Sequence, residues 1–207
     1  MGFLYLASII PFLHSRSYYF ILNIQLFSLQ LKGDETMEST QKELHAYMEK
    51  FRKDDLDYFD AVQRVFKKYT KNSNKVEVAI KFAVLDKLYS TVIFDKDKMI
   101  NHIYNLATKE SLDNMLRSGN LQAIEKIRKG HKILTKSNKE RDNYSFATKY
   151  CHFSNPKCYP LYDQYVEWAI SELKEKGKIE FEIPDTFTLH ETLENPKDLK
   201  KIIDKII

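Results

Sequence analysis

The sequence predicts an all-α fold: a compact domain of several helices with at most one short strand, near residues 178–183. Two observations predict it. From residue 37 onward, apolar residues recur at the spacing i, i+3, i+4, i+7 that marks one face of a helix. Only 5 glycines and 5 prolines occur among 207 residues, which favours long helices over a turn-rich β-sandwich. An apolar content of 43% and a charged content of 30% indicate a folded globular chain.

Residues 1–36 differ from the rest because they hold two apolar runs, 2–13 and 18–31. Each run is shorter than the roughly 20 residues of a membrane span, and a signal peptide would need a positive n-region that is missing. A third hypothesis is that translation starts at Met37, since the codons for 32–34 can spell a bacterial ribosome-binding sequence. We therefore expect a helical domain at 37–177 and a C-terminal appendage at 178–207, with no membrane segment in either.

The first helices follow from the apolar periodicity. They are predicted at 44–51, 59–69, 76–93, 99–107, 112–116 and 121–127, with a loop at 71–74 and a stop at Gly119. The segment 76–93 is apolar on nearly all sides, which is typical of a central helix. Its polar end at 89–91 is expected to reach a surface or cleft.

Later in the chain, an aromatic-rich helix is predicted to begin after the N-cap Asn143 and to stop at Asn155, which precedes a proline. The next helix is predicted to begin at Asp163 and to end near Gly177. A carboxylate at Asp163 can accept first-turn N–H bonds at the positive end of the helix dipole, so a capping role explains it. Asn195 and the proline after it open a final helix.

The chemistry-bearing motifs of many enzymes are absent. No two glycines lie close together after residue 37, so no phosphate-binding loop and no nucleotide cofactor are predicted; G-x-S-x-G and H-E-x-x-H are also missing. Cys151 and Cys158 predict free thiols in a reducing, cytoplasmic compartment. Even with His152 nearby, they lack the second ligand pair of a zinc site, so no metal is predicted. The candidates reduce to carboxylate chemistry, and Asp163 is the best-placed carboxylate.

A basic stretch runs from 126 to 141. Its cations are Lys126, Arg128, Lys129, Lys132, Lys136, Lys139 and Arg141, with Glu140 as the acidic residue among them. Such a run is either a solvated helix face and loop or a phosphate-binding surface.

Two stretches, AVLDKLYSTVIFDKDKMINHIYNL (83–106) and SFATKYCHFSNPKCYPLYDQYV (145–166), resemble the core of the helix-hairpin-helix, endonuclease III-like DNA glycosylases. The resemblance places Asp163 at the catalytic position and Ser145 where bifunctional members carry lysine and some monofunctional members carry serine. It places Tyr89, Ser90 and Thr91 near the DNA-facing helix end. It implies a monofunctional glycosylase acting on double-stranded DNA. The glycine-containing hairpin of that family is missing before Ser145. The strings Y-S-F-A-T-K-Y-C and Y-P-x-Y-D also resemble an uncharacterised bacterial family.

Three hypotheses for function remain open: a glycosylase-like enzyme, a non-catalytic nucleic-acid-binding domain, and a helical protein-interaction or host-defence module. The first two require a positive surface at 126–141 next to Asp163. The third predicts that Asp163 is a buried cap without a cleft beside it.

Overall fold

The structure is a computed structural model that describes residues 58–89, 91, 93–130, 141–175, 181–183 and 188–206. Within these ranges the chain forms nine helices and no strand, so the all-α prediction is confirmed. The leader, Met37 and the helix predicted at 44–51 lie outside the described residues. Of the predicted strand at 178–183, only 181–183 is described, and these three residues are irregular.

The helices follow one another with short connections. They are α1 (58–68), α2 (Lys75–Tyr89), α3 (Lys96–Lys109), α4 (Leu112–Ser118), α5 (Gln122–Arg128), α6 (Tyr144–Ser154), α7 (Gln164–Glu175), α8 (Leu189–Leu193) and α9 (Pro196–Ile206). Helix α4 ends at Gly119, whose φ of 71° is the left-handed conformation that glycine adopts at a helix end.

Helix α6 lies at the centre of the fold, and α2, α4 and α5 pack against it. Nine of its residues are buried: Tyr144, Phe146, Ala147, Thr148, Lys149, Tyr150, Cys151, His152 and Phe153. The sequence assigned that central place to the segment 76–93, and this was wrong. Helix α2 buries four of its fifteen residues, Val78, Lys81, Phe82 and Leu85, whereas Val76 at its start is 68% exposed.

Helix α2 ends at Tyr89, before the predicted limit of 93. The carboxylate of Asp86 accepts hydrogen bonds from Thr91 Oγ1 at 2.7 Å and from the Ile93 N–H at 3.3 Å. These bonds tie Thr91 and Ile93 to the C-terminal part of α2, and Ile93 is buried although it lies outside the helix.

The C-terminal helices pack into the same hydrophobic core. Helix α8 was not predicted, although Thr188 and Glu191 form a capping box that the T-x-x-E pattern encodes. Helix α9 begins at the predicted Pro196. The Tyr144 hydroxyl of α6 donates to the carbonyl of Leu193 at 2.9 Å, which fixes α8 against the centre of the fold. None of the helices in the described ranges combines the length and apolar character that a membrane crossing requires.

Candidate functional site

The two residues predicted to be catalytic, Ser145 and Asp163, meet at the side chain of Lys149. Lys149 follows Ser145 by one helical turn on α6, and its Nζ donates to Ser145 Oγ at 2.7 Å. The same Nζ lies 3.4 Å from Asp163 Oδ2, an ion pair between largely buried side chains. It also donates to the Tyr162 carbonyl at 3.2 Å. Three acceptors thus surround a group that carries three N–H bonds when protonated.

Asp163 is a helix cap, as its position in the sequence predicts. Its Oδ1 accepts a hydrogen bond from the Val166 N–H at 3.0 Å, in the first turn of α7. The residue is only 9% exposed. One carboxylate oxygen therefore serves the helix and the other faces Lys149, which leaves little of this carboxylate open to solvent.

Lys149 is only 3% exposed. Burial lowers its pKa, because the charged ammonium loses its hydration, while the charge of Asp163 acts in the opposite direction. The ammonium lies 5.9 Å from the ring centroid of Tyr89, at the end of α2. Tyr89, Ser145, Lys149 and Asp163 therefore bring the end of α2, the first turns of α6 and the start of α7 to one point.

Lys149 was missed by sequence reasoning. Two features of the sequence could have predicted its place in the site. Lys149 follows Ser145 by four residues, which puts the amine and the hydroxyl on one face of a helix. The next helix begins with an aspartate cap, Asp163, which can pair with a lysine. A lysine in an otherwise apolar helix is normally assigned to the surface, and here it is buried because Asp163 and two other acceptors neutralise its polarity.

The cap at the start of α6 differs from the prediction. Asn143 occupies the N-cap position, but its side chain makes no capping bond and instead donates from Nδ2 to the Arg141 carbonyl at 3.1 Å. The preceding residue, Asp142, accepts from the Tyr144 N–H at 3.0 Å. Asp142 thus supplies the side-chain acceptor for the first N–H of α6, and the same carboxylate binds Arg128.

Arg128, predicted to bind nucleic acid, holds helices together. Its Nε donates to Asp142 at 2.8 Å, and its Nη1 donates to the Glu194 carbonyl at 2.9 Å. The guanidinium lies 4.7 Å from the ring centroid of Tyr144. It therefore joins α5 to the start of α6 and to the end of α8.

The other residues predicted to bind nucleic acid differ in their surroundings. Lys126 forms an ion pair with Glu110, and Arg141 donates to the Thr91 carbonyl at 2.7 Å. Thr91 is buried, with its own hydroxyl directed to an aspartate of α2. Lys129 is exposed. Four further predicted residues lie outside the described ranges: Ser90, Lys132, Lys136 and Lys139.

An open cavity of about 520 Å³ lies between α5 and the junction of α8 with α9. Glu125 and Arg128 line one side, and Glu194, Asn195 and Lys197 line the other. Asp163 is not among its lining residues. The cavity is thus a separate feature from the cluster around Lys149.

The two cysteines are free thiols, as predicted. Cys151 is fully buried, and burial raises the pKa of its thiol well above the ordinary value. The Nδ1 of His152 bonds the Tyr159 carbonyl at 2.9 Å, so this imidazole is committed to the backbone. In the described part of the chain, no group of three or more His, Cys, Asp or Glu residues is arranged to hold a metal ion.

The fold and the site define an α-helical domain with a buried lysine–aspartate pair at its centre. The chain belongs to the HI_0787_N family, whose model is described as an N-terminal domain and matches residues 40–158, more than half of the chain. Ser145 and Lys149 lie inside that match, and Asp163 lies just beyond it.

One relative is a protein of Haemophilus influenzae that carries the name "Uncharacterized protein". It is 38% identical over 83 residues, which cover 40% of this chain and 38% of that protein. The chain thus spans well under half of the length of this relative. No solved structure matches the chain.

Proposed function

We propose that this chain is a DNA-binding helical protein with a glycosylase-like site at Asp163. The observation that supports the proposal is the convergence of Tyr89, Ser145 and Asp163 on Lys149. Tyr89 belongs to the first stretch that resembles the glycosylases, and the other three residues belong to the second. The two stretches are far apart in the sequence and meet at one buried point.

In this proposal a base is flipped out of the duplex, and the Asp163 carboxylate stabilises positive charge on the deoxyribose as the base leaves, or orients the attacking water. The protonation state of Lys149 affects this role of Asp163. A protonated Lys149 beside Asp163 neutralises the negative charge of the carboxylate, which the reaction needs. Burial lowers the Lys149 pKa, so this proton is lost more readily than from an exposed lysine. Because Ser145 lies where the bifunctional glycosylases carry lysine, strand cleavage is not expected.

The test is base release from short duplexes that carry uracil or an alkylated purine. The wild-type chain is compared with Asp163→Asn, which keeps an oxygen for the Val166 N–H and removes the charge. Asp97→Asn is the matched control, because Asp97 is exposed in the first turn of α3. Release that disappears in Asp163→Asn, with binding retained and Asp97→Asn unchanged, supports the proposal. Release that is the same in all three proteins rules out the role of Asp163.

A second candidate is a non-catalytic interaction module, and a specific observation favours it. Both oxygens of Asp163 are engaged inside the protein, and Lys126, Arg128 and Arg141 bond to other parts of the chain. If wild-type protein binds duplex DNA but releases no base from the whole panel, this candidate replaces the enzyme, with DNA as its partner. If it does not bind DNA at low salt, DNA is excluded as the partner, and a pull-down is the next experiment.

A further inference from the structure

A second basic surface lies at the end of α1 and in the loop that follows it. Between residues 64 and 75 the chain has no Asp or Glu and five cations: Arg64, Lys67, Lys68, Lys71 and Lys75. All five are exposed. The first four follow the spacing i, i+3, i+4, i+7, which places those of α1 on one helical face with Lys71 just past its end. We call these five residues the α1 basic patch.

The charges of the patch form no ion pairs with the part of the chain that the structure describes. Among the described residues, no carboxylate pairs with any of the five cations. Lys67 Nζ bonds only the amide of Gln63, at 3.3 Å, and Lys68 Nζ lies 5.4 Å from the ring centroid of Tyr69. By contrast, Lys126 and Arg128 of the predicted basic stretch are both engaged with acidic residues. The five cationic groups are therefore not paired with a carboxylate of the described residues and can contact an external anion.

The loop that presents the patch is held in place by carboxylates, which bond its backbone and its asparagines. Glu77 accepts from the Lys71 N–H at 2.9 Å, and Asp113 accepts from Asn72 Nδ2 at 2.6 Å. Asn72 is only 2% exposed, and its Oδ1 accepts from the Tyr150 hydroxyl at 2.5 Å. These bonds fix the loop to α2, α4 and α6, so the backbone position of Lys71 is set before an anion binds.

We propose that the α1 basic patch is the surface that contacts the phosphate backbone of duplex DNA; this inference rests on the DNA binding proposed above. Arg64 to Lys68 covers about 6 Å of helix axis, and phosphates of one DNA strand follow one another every ~3.4 Å along its axis, so the row can face several phosphates. Two apolar residues lie within the α1 part of the row: Phe66 is 4% exposed, and Val65 is half-buried against the core. Val76, which is 68% exposed, follows Lys75 at the other end of the patch. A membrane surface would favour exposed apolar side chains between the cations, and within the α1 row neither apolar residue is exposed. Contacts of this kind neutralise phosphates without reading bases, so the affinity they provide is independent of sequence.

The test is a titration of the full chain with a labelled DNA duplex at several salt concentrations. The patch variant is Lys67→Gln, Lys68→Gln and Lys71→Gln together. The control is Lys109→Gln, Lys157→Gln and Lys197→Gln, which removes the same charge from exposed lysines elsewhere. Each phosphate contact contributes about 0.9 to the log–log salt slope, so the patch variant should lose about 3 units of slope and bind more weakly. The control should keep nearly the wild-type slope. A thermal melt of each variant confirms that it is folded.

The outcomes separate the two proposals. If wild-type chain binds and the patch variant shows the same slope, the patch is not the DNA surface, and the proposed DNA binding stands. If wild-type chain does not bind DNA at low salt, the proposed function fails and the patch assignment fails with it. Binding to anionic phospholipid vesicles in place of DNA, lost in the patch variant, would overturn DNA as the occupant.

Discussion

His152 should make the fold sensitive to acid. It lies in the central helix, is 2% exposed, and bonds the Tyr159 carbonyl through Nδ1. Since a carbonyl only accepts, the neutral imidazole carries its proton on Nδ1. Burial lowers the His152 pKa from 6.5 to about 4, and the bond to Tyr159 acts in the opposite direction. The folded protein thus keeps a neutral histidine at pH values where the unfolded chain is protonated.

The size of the effect follows from this difference between folded and unfolded pKa. The contribution of the neutral His152 to the free energy of unfolding is fully present above pH 6.5. It is lost as the pH falls towards 4, because the unfolded state binds the proton first. The full difference corresponds to about 3 kcal/mol in the free energy of unfolding, of which about 2 kcal/mol is lost by pH 5.

The assay is urea denaturation of the wild-type chain and of His152→Asn across pH 4 to 7.5. Asparagine places an amide N–H near the position of Nδ1, and it does not titrate. The carboxylates are shared by both proteins, so their contribution cancels in the difference. We expect the wild-type protein to lose about 2 kcal/mol more than the variant between pH 7 and 5. A difference that stays constant with pH would refute the reasoning.

Three further predictions concern stability. Burial lowers the Lys81 pKa from 10.5 to about 8, with nearby acids opposing the shift. Between pH 7 and 9.5 the unfolded state therefore binds more protons than the folded state. Over this range the free energy of unfolding of the wild-type protein should rise by about 2 kcal/mol relative to that of Lys81→Met. Parallel pH profiles of the two proteins in urea denaturation would contradict this prediction. Gly119→Ala should lower the free energy of unfolding by about 2–4 kcal/mol, because φ is 71° and a Cβ would lie 2.7 Å from Cys158 Cβ; an unchanged denaturation midpoint would exclude the clash. Asp163→Asn should lower the free energy of unfolding by about 3 kcal/mol, because it leaves the buried ammonium of Lys149 unpaired. In a Lys149→Met background that ammonium is absent, so the same substitution should cost much less. Additive effects in a double-mutant cycle would show that the pair is not coupled.

Local signals predicted most of the fold. Helix α1, the loop after it, the stop at Gly119 and the start of α9 depend on periodicity, caps and proline, which a short stretch of sequence contains. The capping box at Thr188 was equally local and would have predicted α8. The choice of α2 over α6 as the central helix failed for a different reason. Which helix is covered on every side depends on its neighbours, and apolar content alone does not specify them.

The candidate site was predicted only in part, because some of its contacts are local in sequence and others depend on the packing of distant segments. Asp163 was placed as a cap because capping is local. That its carboxylate would face Lys149, and that Arg128 would bond Asp142 and Glu194, depends on how distant segments pack. Charged residues in a basic stretch look alike in sequence whether their partners are phosphates or carboxylates of the same chain. The structure separates the engaged cations from those of the α1 basic patch.

The most direct test of the account is the salt dependence of duplex binding by the wild-type chain. Affinity is measured with one labelled DNA duplex from low to near-physiological salt. We predict measurable binding at low salt with a log–log slope of about −4, which corresponds to four or five phosphate contacts. No binding at the lowest salt, or an affinity that does not change with salt, would contradict the account.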